Sequence, residues 1–334
     1  MFLSAVSVAI ASSIALNGTQ LGPAELAVWG RISPSVVVLL DDGEPMGAAA
    51  LIDASGLFVA HQGAVPSAPI RGRSSSGAAL TFVLESKDEP SQLVLLRAVG
   101  WVRGPTAISL AMGEASKGER LIAALGRGPM KAEFVSSDRV GILSPSRRVV
   151  QLNEIRFEAP AESVGGALVF SLRGELIGAL NATLGQVDEP AQKAVLGALN
   201  RDLLPKPLVR QDGARFGPAP LTVAYTVGPA VMRRVIAGFK SATHEVQHPS
   251  IGVFCRDAAG GGAVVEMVQA GAPAHLAGLR PGDVIFELGG QTVKNQFDFA
   301  RIVFEQEVGA MVILRVRRGP SPLNLAVRVG KLAE

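Results

Sequence analysis

From Val36 to about Val227 the chain is a succession of short apolar runs broken by Gly, Pro, Asp and Ser. Val36-Val37-Val38-Leu39-Leu40 is followed by Ala48-Ala49-Ala50-Leu51-Ile52, and the turn sequence Asp53-Ala54-Ser55-Gly56 leads into Leu57-Phe58-Val59-Ala60. Many short strands with turn chemistry and few helical stripes predict an antiparallel barrel or sandwich. One helix ends the region. Between Pro229 and Lys240, residues Val231, Met232, Val235, Ile236 and Phe239 share a face at helical spacing, with Arg233, Arg234 and Lys240 off it. Pro229 suits a first helical turn. The Pro-, Gly- and charge-rich stretch 185–218, with one short helical pattern from Ala191 to Leu199, reads as an inserted surface loop. Between Thr243 and His248 the helical pattern stops, and a new β pattern starts at Ile251-Gly252-Val253. These breaks divide the chain into a domain over 25–242, containing the insertion and the helix 229–240, and a second unit over 248–334.

The second unit carries the most specific motif: Gly271-Ala272-Pro273-Ala274-His275-Leu276-Ala277-Gly278-Leu279-Arg280-Pro281-Gly282-Asp283-Val284-Ile285. A short helix from Pro273 ends at Gly278, suited to a left-handed C-cap, and Pro281-Gly282-Asp283 turns the chain into a buried strand. A helix over about Gln296 to Glu305 places Phe297, Ala300 and Phe304 on one stripe, with Phe299 and Val303 beside it. Two alternating strands follow: Val312, Leu314 and Val316, then Leu323, Leu325, Val327 and Val329, joined through Arg318-Gly319-Pro320-Ser321-Pro322. From Ser250 to Lys331 the unit resembles the bacterial PDZ domains. That resemblance implies a groove beside an exposed strand edge, in which a peptide C-terminus adds as an extra strand and backbone N–H groups take its carboxylate. The matching peptide-binding loop is Ser250, Ile251, Gly252 and Val253; the alternative is that Ile251 and Val253 are core strand residues and no more.

The first domain resembles the HtrA/DegP protease domain through segments in the family's order: Arg31-Ile32-Ser33-Pro34-Ser35-Val36-Val37, Ile108 to Glu119, Val140-Gly141-Ile142-Leu143-Ser144, and Tyr225-Thr226-Val227-Gly228-Pro229. The resemblance implies a mostly β chain, a trypsin-like double β-barrel followed by an α+β PDZ domain. Such proteases need a hydroxyl nucleophile, an imidazole base, an orienting carboxylate and oxyanion donors. The family's base motif aligns with Gly56 to Ala64 and puts Gly63 at the base position; His61 lies two residues early, roughly 6–7 Å away along an extended segment. The carboxylate motif aligns with Gln92-Leu93-Val94-Leu95-Leu96-Arg97, so Gln92 stands at the acid position, while Asp88 upstream reads as a turn residue. The nucleophile motif meets Glu162-Ser163-Val164-Gly165-Gly166-Ala167-Leu168-Val169, placing Val164 at the serine position and Glu162, Ser163 and Gly165 in the oxyanion loop. Glu162 would put negative charge where a negative intermediate develops.

The expectation is therefore a non-catalytic HtrA-like protein that binds peptide C-termini or unfolded segments. Two alternatives stand beside it: an active serine endopeptidase with a rearranged site built from Ser163, His61 and Asp53 or Asp88, and a scaffold within an envelope complex. Composition narrows the field further. A net charge of +3, with Lys and Arg scattered apart from short doublets, argues against a nucleic-acid partner. Cys255 is the single cysteine, which excludes an intrachain disulfide and a cysteine-based zinc site. His244, His248 and His275 read as isolated, and no metal or cofactor is implied. Residues 1–24 lack charge and read as a secretory signal without a basic start, or as a disordered or docked N-terminus. Export would place the protein in the periplasm or outside the cell, with homo-oligomers allowed and no membrane span beyond that segment.

Overall fold

The computed structural model describes residues 21–143, 148–158, 166–180, 207–208 and 221–332. The segment 1–20 and most of the 185–218 insertion, including the helical pattern at 191–199, lie outside the described residues. Helix α1 (Pro23–Ile32) enters through a proline in its first turn and buries Val28 and Ile32. Six strands then close an antiparallel barrel: β1 (Val36–Asp41), β2 (Glu44–Asp53), β3 (Leu57–His61), β4 (Ile70–Ser74), β5 (Ala79–Asp88) and β6 (Leu93–Ala98), in the order β1-β2-β3-β6-β5-β4.

The nearly unbroken apolar runs of β3 and β6 follow from burial on both faces. Phe58, Ala60, Val94 and Leu96 fill the barrel, while Leu57, Val59, Leu93 and Leu95 point into a second core behind it. That core is shared with a seven-stranded antiparallel sheet, ordered β11-β10-β7-β8-β9-β13-β12. Its strands are β7 (Arg120–Leu125), β8 (Gly128–Leu143), β9 (Arg148–Glu158), β10 (Leu168–Ser171), β11 (Leu176–Ala179), β12 (Pro207–Leu208) and β13 (Leu221–Val227). Period-two alternation sorts the sheet as well: Leu168 and Phe170 face the shared core, and Val169 the opposite one. Helix α2 (Pro229–Phe239) buries Val231, Met232, Val235, Ile236 and Phe239 in the shared core.

The C-terminal unit has its own core. Strands β15 (Val253–Asp257), β16 (Ala263–Val268), β17 (Val284–Leu288), β19 (Met311–Arg318) and β20 (Ser321–Arg328) form a sheet in that order, and β18 (Gln291–Thr292) pairs with β17. A short pair, β14 (Pro249–Ser250) with β21 (Gly330–Lys331), closes the unit. Helix α3 (Pro273–Leu276) is followed by Gly278 at φ +83°, which only glycine adopts readily. Helix α4 (Gln296–Glu305) is capped by Asn295, whose Oδ1 accepts from Phe297 N–H and Asp298 N–H.

Helix α4 departs from the expected stripe. Its buried inward face is Phe299, Ile302 and Val303, while Phe297 and Ala300 are only half-buried and Phe304 enters the core behind the barrel. The helix packs on two bodies at once, so no single periodic stripe describes it.

Candidate functional site

Strand pairing brings the two aligned triad positions together. β3 runs beside β6 with His61 opposite Leu93, and just beyond that pair Gln62 N–H donates to the Gln92 carbonyl at 2.7 Å. Position 63 is thus adjacent to position 92. The third segment converges on the same point through contacts too close for a side chain: a Cβ on Gly166 would lie 2.6 Å from the Ala64 Cβ, and one on Gly47 would lie 2.5 Å from it. Gly166 also has φ +72°. Glu162, Ser163, Val164 and Gly165 lie outside the described residues.

The side chains at the described positions do not make a base and an acid. Gly63 is exposed and offers only backbone. Gln92 is buried with φ +57°, and its amide carries no charge with which to stabilise an imidazolium. Contrary to the extended segment expected, residues 62–64 coil as a 3-10 turn, which brings the buried His61 ring against position 63: its Nδ1 accepts the Gly63 N–H at 3.0 Å, so the ring pins that turn. An accepting Nδ1 leaves the proton of the neutral ring on Nε2.

The acids proposed for a rearranged site are engaged elsewhere. Asp53 accepts from Ser55 N–H at 3.0 Å and faces Lys240 at 3.3 Å; the Ser55 backbone and hydroxyl, helped by Lys240, outweigh burial and hold its carboxyl below the ordinary range. It stands opposite Leu57, at the far end of β3 from His61, about 13 Å along an extended strand. Asp88 does open a turn, the one that joins β5 to β6, but it is buried there, and His248 is not isolated. The Asp88 carboxylate is buried, its Oδ2 accepting from Ser91 N–H at 3.0 Å and from the Ser91 hydroxyl at 2.5 Å, while its Oδ1 meets His248 Nε2 at 2.6 Å. The two residues are 160 positions apart, so no local spacing in the sequence could have paired them.

The second candidate site is a groove of about 340 Å³ between β15 and α4. Among the described residues β15 is an edge strand, paired with β16 alone, and so presents backbone groups toward the groove. All four residues of the anticipated loop, Ser250, Ile251, Gly252 and Val253, line it. Ile251 is 2% exposed and belongs to the core, so it serves packing as well as the groove. Gly252 is required sterically: its φ is +72°, and a Cβ there would lie 2.3 Å from the Ala272 Cβ. Phe297, Phe299, Ala300, Val303 and Phe304 supply the α4 wall. Sequence reasoning missed Val149, which reaches the groove from β9 of the first domain. Cys255 also lines it; burial, with Glu266 nearby, pushes its thiol up to about 12, so it is a protonated, unreactive wall at neutral pH.

Residues 249–329 match the family model described as PDZ domain. This unit is a PDZ domain. Among curated proteins, the chain is similar to the putative serine protease HhoB of Synechocystis sp., 40% identical over 73 residues, which are 22% of this chain and 18% of that protein. It is also similar to the mitochondrial serine protease HTRA2 of Bos taurus, 42% identical over 66 residues, 20% of this chain and 14% of that one. The matches therefore span less than a fifth of the length of these relatives.

Solved structures extend the likeness beyond the PDZ domain. The HtrA-type protease AlgW with decapeptide superposes at a TM-score of 0.59 with 16% identity, covering 92% of this chain and 98% of that one. The serine endoprotease from Yersinia pestis does so at 0.55 with 13% identity, covering 94% and 100%. The fold is thus mostly β, trypsin-like in its first part and PDZ in its second, as in HtrA-type proteases. Among the described residues no helix is long and apolar enough to cross a membrane.

Proposed function

We propose that this protein is a non-catalytic HtrA-like binding protein that takes exposed peptide C-termini or unfolded segments into its PDZ groove. The observation that carries the reading is the edge strand β15 beside an apolar groove, closed at one end by a loop in which Gly252 must be glycine. An extended peptide there gains main-chain hydrogen bonds from the strand, and its terminal side chain meets Phe297, Phe299 and Val303. Loss of catalysis is supported by Gly63 and Gln92, the residues that the family resemblance aligns with the base and the acid, which lie side by side and supply neither. Val164 at the aligned serine position adds a side chain with no nucleophilic atom. Envelope location, periplasmic or secreted, rests on the uncharged apolar start over 1–24.

The test is incubation of the purified protein with unfolded casein and with a library of peptides bearing free C-termini. Binding without cleavage, abolished by amidating the peptide terminus, is expected. Sustained cleavage blocked by a serine-protease inhibitor, or labelling by a fluorophosphonate probe, would sink the non-catalytic reading.

A further inference from the structure

The wall of the peptide groove and the core of the first domain share a residue. Phe304 lines the groove, is 4% exposed, and packs in the core cluster with Leu93, Leu152 and Val231. Its ring stacks on the His248 imidazole, with centroids 5.3 Å apart and planes 8° from parallel, and the Arg234 guanidinium carbon lies 4.6 Å from the ring centroid. His248 is tied in turn to Asp88 at the end of β5.

Arg234 does more than pack. Its Nη1 donates to the Phe304 carbonyl at 2.7 Å and to the Gln306 carbonyl at 3.3 Å, so a side chain of α2 caps the C-terminal end of the groove helix α4. Among the described residues Nε and Nη2 of Arg234 are buried without a hydrogen-bond partner, and burial, only partly offset by Asp88, Glu305 and Glu307, brings its pKa down to about 10. Holding a guanidinium there is costly, and the carbonyls and the ring offset that cost. At the next turn of α4, Arg301 Nη1 donates to the Gln151 side chain of β9 at 3.1 Å, beside the groove residue Val149.

We infer that the groove is a two-domain site, and that Asp88, His248 and Arg234 form a latch that sets its affinity for peptide by fixing α4 against the first domain. None of Asp88, His248 and Arg234 lines the groove, so all three act as positioning residues. The groove width is the separation of β15 from α4. With α4 held by the latch, that separation is set before ligand arrives, and the ordering cost of binding falls. Coupling of this kind is reciprocal: a peptide that binds better to the latched form must also favour latching.

The inference rests on the peptide-binding reading above, and its test separates the two. Full-length Arg234→Met and Asp88→Asn variants are compared with the wild-type protein by small-angle scattering and by anisotropy of a fluorescein-labelled decapeptide ending in Val-Phe with a free carboxylate. The expected result is a larger radius of gyration and roughly 10-fold weaker peptide binding in both variants, with added peptide returning the scattering toward the wild-type profile. Circular dichroism equal to that of wild type at the working temperature separates this opening from partial unfolding, which bound peptide would also reverse. Variants that open in scattering yet bind the peptide as tightly as wild type would overturn the latch and leave the peptide-binding reading standing. Variants that stay closed and bind normally would overturn it too. A wild-type protein that binds no free C-terminus would overturn the binding reading, and the affinity claim with it.

Discussion

His61 Nδ1 accepts a hydrogen bond from the Gly63 N–H at 3.0 Å, so the one imidazole near the aligned base position is spent holding the backbone of that position. A Cβ added at residue 63 would lie 3.2 Å from the same nitrogen. A side chain placed there presses on the ring that shapes the turn and must shift it by a few tenths of an ångström.

This governs what restoring the triad can achieve. The variant Gly63→His, Gln92→Asp, Val164→Ser is expected to give at most feeble peptide hydrolysis, because a base must be held within about 0.5 Å of its productive place. Adding Glu162→Gly should raise the rate more than any one triad change alone, since the triad members act as a unit. Hydrolysis rates of the triple and quadruple variants check this. A triple variant as active as an ordinary serine protease would show that the 61–63 turn and Glu162 do not obstruct the chemistry.

Gly252→Ala is expected to abolish peptide binding while leaving the first domain intact. An alanine at φ +72° is strained by about 1–2 kcal/mol. The collision with Ala272 at 2.3 Å adds to this by pushing the loop off its path. Anisotropy with a free-terminus peptide, alongside thermal unfolding, checks it; unchanged affinity would remove the loop from the binding site.

Phe304→Ala should destabilise the protein by about 3–5 kcal/mol, as for a large aromatic removed from a packed core. Because the ring sits in the core of the first domain while its helix belongs to the PDZ domain, the loss should also separate the unfolding transitions of the two domains. Calorimetry of wild type and variant reads both effects. A variant that melts as one transition at the wild-type temperature would deny the ring its bridging role.

How legible this was in the sequence depended on the range of the interaction. The strands around Val36 to Ala60 and the Gly278 cap were readable because period-two alternation and a left-handed glycine are local consequences of backbone geometry. The convergence of Gly63 with Gln92 followed from family order alone, since no spacing rule predicts that Gln62 N–H reaches the Gln92 carbonyl. Asp88 with His248, and Phe304 with Arg234, were out of reach. Each residue carries an unremarkable local pattern, and its role comes from contact across two domains, which also explains why the apparent stripe of Phe297, Ala300 and Phe304 did not match the buried face of α4.

Asp283, at the turn into β17, gives the PDZ domain a defined response to acid. Its side chain is buried, accepting from Arg280 N–H at 2.9 Å and from Arg318 Nε and Nη2, each at 2.8 Å. Burial alone would raise its pKa; the Arg318 hydrogen bonds and the Arg280 backbone outweigh it and hold the carboxyl below its ordinary value. A folded-state pKa below the unfolded one means that the carboxylate contributes stability at every pH above the ordinary carboxylate range, and that this contribution is lost as pH falls through the folded value. Asp283→Asn should therefore destabilise the protein at about pH 7 by about 1–3 kcal/mol, the cost of weakening the hydrogen bonds to a buried charged acceptor. The gap between variant and wild type should begin to narrow below about pH 4, where the unfolded-state carboxyl takes up its proton, and close as pH falls through the lower folded value. Denaturant unfolding of both proteins across that range measures the gap directly. A gap that stays constant from neutral pH into acid would mean that the folded and unfolded carboxyls titrate alike, and that the Arg318 pairing contributes nothing to stability.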